Sequence, residues 1–232
     1  AVMLHHCACA AHERVGNIWY MLPEYSQCRK AVWEAVDPHT GNLRIDDAFP
    51  MGVREGTNKQ EMMIRFKNGS TFQLVGSDNV DSLVGSTPVG VVFSEYALTN
   101  PAAWAYIRPI LLENGGWAIF NGTPRGKNHM HSLLEIARSD PSWFAQLLTV
   151  DDTKLFTKEQ MESELRDLQA EHGEDVGTAL FMQEYHCSFT SAILGAYYGK
   201  EMQHAEESGR ICRVEYDLVV PVHTAWDLGY SD

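Results

Sequence analysis

The sequence lacks the features that define several protein classes. No apolar run among its 232 residues is long enough to cross a bilayer, and no signal-peptide pattern opens the chain. It has no internal repeat and no low-complexity segment. Its five cysteines are odd in number and scattered, which favours a reducing compartment over a disulfide framework. These absences argue against a membrane protein, a solenoid and a disulfide-stapled secreted domain.

Basic residues are also scarce. The chain carries 18 Lys and Arg against 31 Asp and Glu, so its formal net charge is −13. A general basic coat for nucleic acid is therefore missing, although a local basic patch is not excluded. What is present is typical of a soluble globular protein: 44% of the residues are hydrophobic and 21% are charged. The length fits one large domain, or one domain plus part of another.

Both ends of the sequence have the pattern of interrupted elements. The first residues have helical spacing and no starting methionine, and the last three follow an apolar segment. We therefore expect the chain to be a segment of a longer protein.

Strand patterns alternate with helix patterns up to residue 150. Residues 17–22 and the continuously apolar Val89–Phe93 are typical of buried strands. Asn68-Gly69-Ser70 predicts a hairpin between residues 61–67 and 71–76. The elements expected next are a helix over 101–112, a strand over 117–120, a helix over 130–138 and a strand over 143–150. This alternation predicts an α/β fold with a mostly parallel sheet flanked by helices on both faces.

Beyond residue 150 the sequence becomes largely helical. A capping box at Thr157 opens a charged helix, and Gly173 separates it from a second one. Residues 209–216 and 221–228 are typical of two more strands. The boundary between a first and a second domain is therefore expected between about residues 192 and 221.

The first candidate for chemistry is an acidic residue that follows a buried strand. Glu95 stands where a sheet presents groups to a ligand crevice. In a P-loop ATPase such a strand ends in an Asp that holds Mg²⁺, followed by a Glu that orients and deprotonates water. Here Ser94 replaces the Asp, so only a hydroxyl is available to bind Mg²⁺ at this position. Glu95 is either that base or a residue that merely begins a loop.

The second candidate is the loop Asn121–Asn128, which follows a buried strand and opens a helix. It reads G-x3-G-K-N, one residue shorter than a Walker A loop and without the hydroxyl that binds Mg²⁺. A loop one strand beyond Glu95 is better suited to sensing a γ-phosphate, through Thr123 or Arg125. The alternative is a Gly- and Pro-containing turn with a basic surface.

The third candidate is Asp227, within an apolar strand pattern and followed by Gly229. An RNase H-like nuclease opens its metal site in this way, because two divalent cations need carboxylates that converge from different strands. Only the first of those carboxylates would be present. The alternative is an aspartate that begins a turn.

Taken in order, these motifs resemble the large subunit of a tailed-phage terminase, the DNA-packaging motor. The resemblance covers nearly the whole chain. The segments that carry it are residues 16–33, 66–85, 89–98, 104–129, 143–153, 181–189, 195–202 and 224–232.

The resemblance implies a fold and a set of roles. It implies a P-loop ATPase domain of the ASCE or RecA-like type over residues 1–150, a linker subdomain over 151–220 and the start of an RNase H-like nuclease domain over 221–232. Glu95 would be the catalytic Walker B glutamate, with Ser94 at the Mg²⁺-associated position. The coupling motif that links hydrolysis to subdomain motion would contain Thr123, Pro124 and Arg125. Asp227 would be the first nuclease metal ligand, with Asp232 as a further candidate.

The resemblance also implies cofactors and partners. The intact protein would use ATP with Mg²⁺ to drive double-stranded DNA into a procapsid, and two Mg²⁺ or Mn²⁺ ions to cut the DNA concatemer. Its partners would be DNA, the portal protein, the small terminase subunit and further copies of itself in a ring. It would act in the host cytoplasm, without a membrane.

Three departures from the family pattern bear on activity. The Walker A loop would lie before Ala1, and the later nuclease carboxylates would lie beyond Asp232. Many members have Leu-Arg-Gly where this chain has Leu83-Val84-Gly85, so the arginine finger must come from elsewhere, for example from Arg125. The segment alone is therefore expected to be inactive, and the ATPase and endonuclease activities are those of the intact protein.

Two other functions remain open at this stage. A superfamily 2 helicase-like ATPase would have the same strand, glutamate and coupling loop, followed by a second RecA-like domain. A catalytically inactive ATPase fold could instead serve as a binding module for DNA or a portal, and Ser94 would be its signature.

Overall fold

The structure is a computed structural model that describes residues 2–83, 85–190 and 198–213, together with residues 215, 219, 221 and 223. The chain divides into two compact units, residues 1–193 and 194–232. The only regular element described in the second unit is the helix α9, Gly199–Glu207. No described helix is both long and apolar enough to cross a bilayer.

One six-stranded sheet forms the centre of the first unit. Its strands are β1 Asn17–Leu22, β2 Arg54–Asn58, β3 Met63–Phe66, β4 Thr71–Gly76, β5 Pro88–Ser94 and β6 Trp117–Asn121. The helices of this unit are α1 Val2–Glu13, α2 Tyr25–Cys28, α3 Arg44–Ala48, α4 Pro101–Asn114, α5 His129–Ser139, α6 Val150–Thr153, α7 Lys158–His172 and α8 Glu174–His186. A π-helical turn, Arg29–Trp33, continues α2, and short 3-10 segments cover Met51–Val53, Ser77–Leu83 and Tyr96–Leu98.

The sheet is parallel in its centre and antiparallel at one side. The strand order is β2-β3-β4-β1-β5-β6. β1 pairs in parallel with both β4 and β5, and β6 pairs in parallel with β5. β3 is antiparallel to β2 and to β4. The predicted α/β fold is confirmed, and the predicted hairpin is the β3–β4 pair, with Gly69 at its turn in a left-handed conformation (φ 92°).

Helices cover both faces of the parallel strands. On one face, α1 and α3 enclose a core that includes Ile18, Phe72 and Val92. On the other face, α4 packs Ile107 and Leu111 against a second core around Phe93. β5 lies between these cores, and all seven of its residues are buried. This explains why its sequence is apolar without alternation.

The direction of α1 follows from contacts at its C-terminal end. The hydroxyl of Ser70, directly before β4 begins, donates to the carbonyl of Ala11 over 2.8 Å. Arg14, just beyond the helix, donates to the carbonyls of Asn114 and Gly115, which precede β6. The C-terminal end of α1 therefore lies at the amino ends of the strands, and its N-terminus points towards their carboxyl ends.

The sequence predictions differ from the structure at three places. β2 was not predicted, because its sequence Arg-Glu-Gly-Thr-Asn has no apolar alternation and four of its five residues are exposed. The strand predicted over 143–150 is wrong: residues 141–149 have no regular secondary structure, and Val150 begins α6. The Trp143 ring stacks on Phe120 of β6, with ring centroids 6.0 Å apart, so this segment contacts the sheet through a side chain and not through backbone pairing. Of the strand predicted over 209–216, residues 209–213 are described and are not a strand, while the one predicted over 221–228 falls largely outside the described residues.

Candidate functional site at the carboxyl edge of the sheet

Glu95 lies at the carboxyl edge of the sheet, directly after β5. Its backbone has φ 56° and ψ 45°, the left-handed region that non-glycine residues rarely adopt. The peptide turns sharply here into the 3-10 segment, and the Glu95 carbonyl accepts a hydrogen bond from the amide of Leu98 over 2.9 Å. The side chain is half-buried, and no hydrogen bond or ion pair to its carboxylate occurs among the described residues. A carboxylate held in a strained turn and without a partner suits a functional group.

The loop after β6 lies against this turn. A side chain at Gly122 would place its Cβ 3.1 Å from the Cα of Glu95 and 3.0 Å from the amide nitrogen of Tyr96. Only glycine lets the loop approach the backbone of Glu95 so closely. Thr123 follows as a half-buried residue, Pro124 is buried and Arg125 is exposed. The structure thus brings the predicted coupling residues next to the predicted catalytic glutamate.

Two side chains fix the far end of the same loop to the turn after Glu95. Asn128 caps α5 and donates through its Nδ2 to the carbonyl of Ala97 over 2.9 Å. His129 donates through its Nε2 to the carbonyl of Tyr96 over 2.7 Å, so its ring proton is on Nε2. The loop between Gly122 and Asn128 is therefore fixed to the Glu95 turn at both ends.

Three polar side chains lie on adjacent strands at this edge, on the face covered by α1. Ser94 is buried, and its Oγ accepts a hydrogen bond from the hydroxyl of Tyr20 over 3.1 Å. Burial raises the pKa of Tyr20, which keeps the hydroxyl proton in place for this bond at neutral pH. Asn121 pairs with Ser94 across the β5–β6 register. Its Oδ1 is buried and accepts no hydrogen bond among the described residues.

The side chain of Arg125 contacts α8. Its guanidinium forms an ion pair with the carboxylate of Glu184, in the last turn of α8. The second candidate site and the helical pair α7–α8 are therefore in direct contact.

Several predicted residues cannot be located. Val84, Asp227 and Asp232 lie outside the described residues. Within the described part of the chain, no group of three or more His, Cys, Asp or Glu side chains could hold a metal ion.

Sequence reasoning missed three participants in this region: Tyr20, Asn121 as a separate polar group, and Glu184. Tyr20 lies within an apolar strand pattern, where the sequence alone does not separate a core residue from a polar one, and Asn121 was assigned to the loop although it is the last residue of β6. Arg125 and Glu184 are 59 positions apart in the sequence, so no local signal indicates their pairing.

Comparison with known proteins agrees with this geometry. No protein-family model matches the chain. The terminase large subunit of Escherichia phage T5 is 28% identical over 141 residues, which cover 59% of this chain and 30% of that protein. The chain thus spans less than a third of the length of this relative.

Solved structures of two phage proteins have a similar fold. The large terminase ATPase domain of Thermus phage P74-26 has a TM-score of 0.57 at 18% identity, and the match covers 77% of this chain and 79% of that one. The large terminase of another thermophilic bacteriophage, in complex with ADP, also has a TM-score of 0.57, at 19% identity, over 81% of this chain and 44% of that one. The resemblance inferred from the motifs is confirmed: the chain is similar in sequence to a phage terminase large subunit, and its fold is similar to that of large terminase ATPase domains.

Proposed function

We propose that this chain is part of a viral DNA-packaging motor whose ATP hydrolysis uses Glu95 as the general base. The observation that carries the proposal is the carboxylate of Glu95, which has no hydrogen bond or ion pair among the described residues and is held in a left-handed turn at the carboxyl edge of the sheet, with the Gly122 loop against it. Ligands of parallel α/β sheets bind at this edge. The sequence relative is a terminase large subunit, and one structural relative was solved with ADP.

The open edge of the sheet supports a site for the phosphate-binding loop. Among the described residues no strand pairs with the outer edge of β6, and all five β6 residues are only partly buried. The N-terminus of α1 points towards the same carboxyl edge. A further parallel strand beside β6, followed by a glycine-rich loop and then α1, would bring backbone amides and the positive end of the helix dipole close to Glu95.

The oxygen atoms at this edge suit Mg²⁺·ATP. Mg²⁺ prefers oxygen ligands and keeps several waters, so the hydroxyl of Ser94 and the buried Oδ1 of Asn121 are compatible donors, directly or through water. Bound Mg²⁺ would supply charge neutralisation of the phosphates. Glu95 would hold and deprotonate the attacking water, and Thr123 would face the same space from the neighbouring loop.

Turnover in the full-length protein tests the role of Glu95. Glu95→Gln keeps the shape of the side chain but removes the base, so we expect ATP turnover to fall by about 10²- to 10⁴-fold while nucleotide binding is retained. Glu113→Gln, an exposed carboxylate on α4, is the matched control and should behave like the parent. Unchanged turnover in Glu95→Gln would remove Glu95 from this role.

The remaining functions rest on the resemblance to terminases. The intact protein would translocate double-stranded DNA through a portal, as a ring of copies that works with a small terminase subunit, in the cytoplasm of the host. Its nuclease domain would begin at about residue 221, after a linker over 151–220, and Asp227, with Asp232 as a further ligand, would bind the catalytic divalent cations. Asp227→Asn should abolish Mn²⁺-dependent DNA cleavage by the full-length protein and leave its ATP turnover intact. Loss of neither activity would contradict the nuclease assignment.

One observation favours the binding module as a second candidate. Ser94 stands where P-loop ATPases have the residue that holds Mg²⁺, and its Oγ already accepts a hydrogen bond from Tyr20. If the full-length protein binds DNA but neither binds nor hydrolyses ATP, the chain serves as an ATPase-fold binding module. Strand-separating activity in the full-length protein would instead favour a helicase.

A further inference from the structure

The ion pair between Arg125 and Glu184 joins the candidate active site to the helical pair α7–α8. Arg125 extends from the loop that contacts the Glu95 turn, and Glu184 lies in the last turn of α8. Both side chains are more than a third exposed, at 38% and 37%. Two charges that remain this accessible to solvent contribute little to stability, so their pairing can be exchanged at low cost.

The loop and the helix differ in how they are held. Gly122, Asn128 and His129 fix both ends of the loop to the turn after Glu95. Arg125 therefore stays beside that turn whichever partner its guanidinium takes. A change of partner would alter the restraint on α8 and leave the sheet in place.

Besides the hydrogen bond from the Tyr185 hydroxyl to the Glu164 carboxylate of α7, contacts with residues near the start of α6 hold the C-terminal end of α8. Cys187 donates through its Sγ to the carbonyl of Leu148 over 3.3 Å, and His186 lies 3.4 Å from the carboxylate of Asp151. Both anchors join α8 to residues 148–151, which directly precede or begin α6 rather than belong to the sheet. The Arg125–Glu184 pair is thus a direct connection from this end of α8 to the Glu95 region.

We propose that Glu184 is a positioning residue that holds Arg125 until a nucleotide phosphate replaces Glu184 as the partner of the Arg125 guanidinium. A terminal phosphate carries more charge than a carboxylate and matches the guanidinium in a bidentate geometry, so it would compete well for Arg125. Phosphate binding would release Glu184 and loosen α8, and phosphate departure would restore the pair. This switch rests on the proposed ATPase function, and it assigns Glu184 a role in transmitting the nucleotide state to α7–α8.

Hydrogen exchange of α8 amides in the full-length protein tests the switch, with ATP-gamma-S as the probe. In the parent, the nucleotide should speed exchange over residues 180–187. Glu184→Gln should show the faster exchange without nucleotide and no further change with it. It should also bind ATP-gamma-S about two- to fivefold more tightly, because the competing carboxylate is gone. The double variant with Arg125→Gln should exchange like Glu184→Gln.

The control is Glu174→Gln, which removes a carboxylate from the other end of α8 and should behave like the parent in both measurements. If the parent binds the nucleotide but α8 exchange does not respond, or if Glu184→Gln matches the parent, the switch is overturned while the ATPase proposal stands. If the parent binds no nucleotide, the ATPase proposal itself fails, and the switch with it.

Discussion

The parallel sheet and the α7–α8 pair differ in how many of their residues are buried and in their charge. Every residue of β5 is buried, whereas α7 has no buried residue and α8 buries only Gly177, Phe181 and Gln183. Residues 150–186 carry ten acidic and three basic side chains, while residues 1–149 carry fourteen and twelve. Residues 1–149 are thus nearly neutral and enclose a buried core, whereas the helical pair is acidic and has few buried residues.

The two helices of the pair cross at close range. A Cβ at Gly177 would lie 2.5 Å from the Cα of Gln169, so the two helices approach backbone to backbone. Around the crossing, Gln169 donates to the hydroxyl of Thr178 over 2.9 Å, and Tyr185 donates to the carboxylate of Glu164 over 3.0 Å. An element with few buried apolar contacts opens more readily than a core. We therefore expect α7 and α8 to open more readily than the sheet edge that carries Glu95.

The largest expected effect comes from the sheet core. Phe93 is fully buried and stacks on Phe120 with ring centroids 4.8 Å apart. Phe93→Ala should lower the free energy of unfolding by about 3–5 kcal/mol, measured by urea denaturation. Phe144→Ala is the matched control, because its ring is 86% exposed, and it should change stability by less than about 0.5 kcal/mol. Similar losses in both variants would contradict the core assignment.

A smaller and more local effect is expected at the helix crossing. Gly177→Ala would push α7 and α8 apart, at a cost of about 1–3 kcal/mol. Hydrogen exchange should quicken over residues 158–186 and stay unchanged in β5. Gly52→Ala, where the added Cβ meets nothing within 4 Å, serves as the control. Faster exchange throughout the sheet as well would show that the two regions unfold together.

Alkaline pH should lower the free energy of unfolding through the thiol of Cys7, which is buried in the core between α1 and the sheet. Burial raises the pKa of Cys7 from its ordinary value of 9.0 to about 12. Because the folded state keeps this proton to higher pH than the unfolded chain, the contribution is fully present below pH 9 and is lost as the pH rises towards 12. At pH 10 the loss is about 1.4 kcal/mol. Cys7→Ala should flatten the decline between pH 8 and pH 10, and exposed Cys9→Ala should not.

Acidic pH should instead lower the stability of the helices α6 and α7. Hydrogen bonds from Thr149 lower the pKa of Asp152 in the capping box of α6, and the pKa of Glu159 in the first turn of α7 is also lowered. Groups with a lowered pKa stabilise the folded state above their ordinary pKa and lose that contribution as the pH falls through the folded value. Helix content over residues 150–172, followed by NMR chemical shifts, should therefore decline below about pH 4 before the β5 signals change.

The smallest expected effect is that of a single cap. Thr157 accepts a hydrogen bond from the amide of Gln160 over 3.3 Å, and the Gln160 side chain accepts one in return from the Thr157 amide over 2.8 Å. Thr157→Ala should cost about 1 kcal/mol, confined to α7. Thr153→Ala, in the last turn of α6, offers a control that should leave α7 exchange unchanged.

The elements that the sequence predicted well are those with strong local signals. The apolar run of β5, the turn at Gly69 and the capping box at Thr157 each determine their own conformation. β2 was missed because it is held by its neighbour rather than by its own pattern. The segment 143–149 has the composition of a strand, but it contacts the sheet through the Trp143 ring rather than through backbone pairing, and Phe144 and Leu148 are exposed.

The candidate site also combines features with a local sequence signal and features that depend on distant parts of the chain. Glu95 and the loop after Asn121 could be found, because strand ends converge at one edge in a parallel sheet. Pairing over long distances in the chain could not be found, since nothing local distinguishes Glu184 from the other carboxylates of α7 and α8. The unpaired oxygen of Asn121 is likewise a property of packing and not of spacing.

The outer edge of β6 has a practical consequence for handling this segment. Its sequence, Trp-Ala-Ile-Phe-Asn, has no charge and no proline, which are the usual safeguards against pairing between sheet edges. When this segment is expressed by itself, we expect copies to associate through this edge in a concentration-dependent way. Light scattering over a dilution series of such a preparation would measure this association.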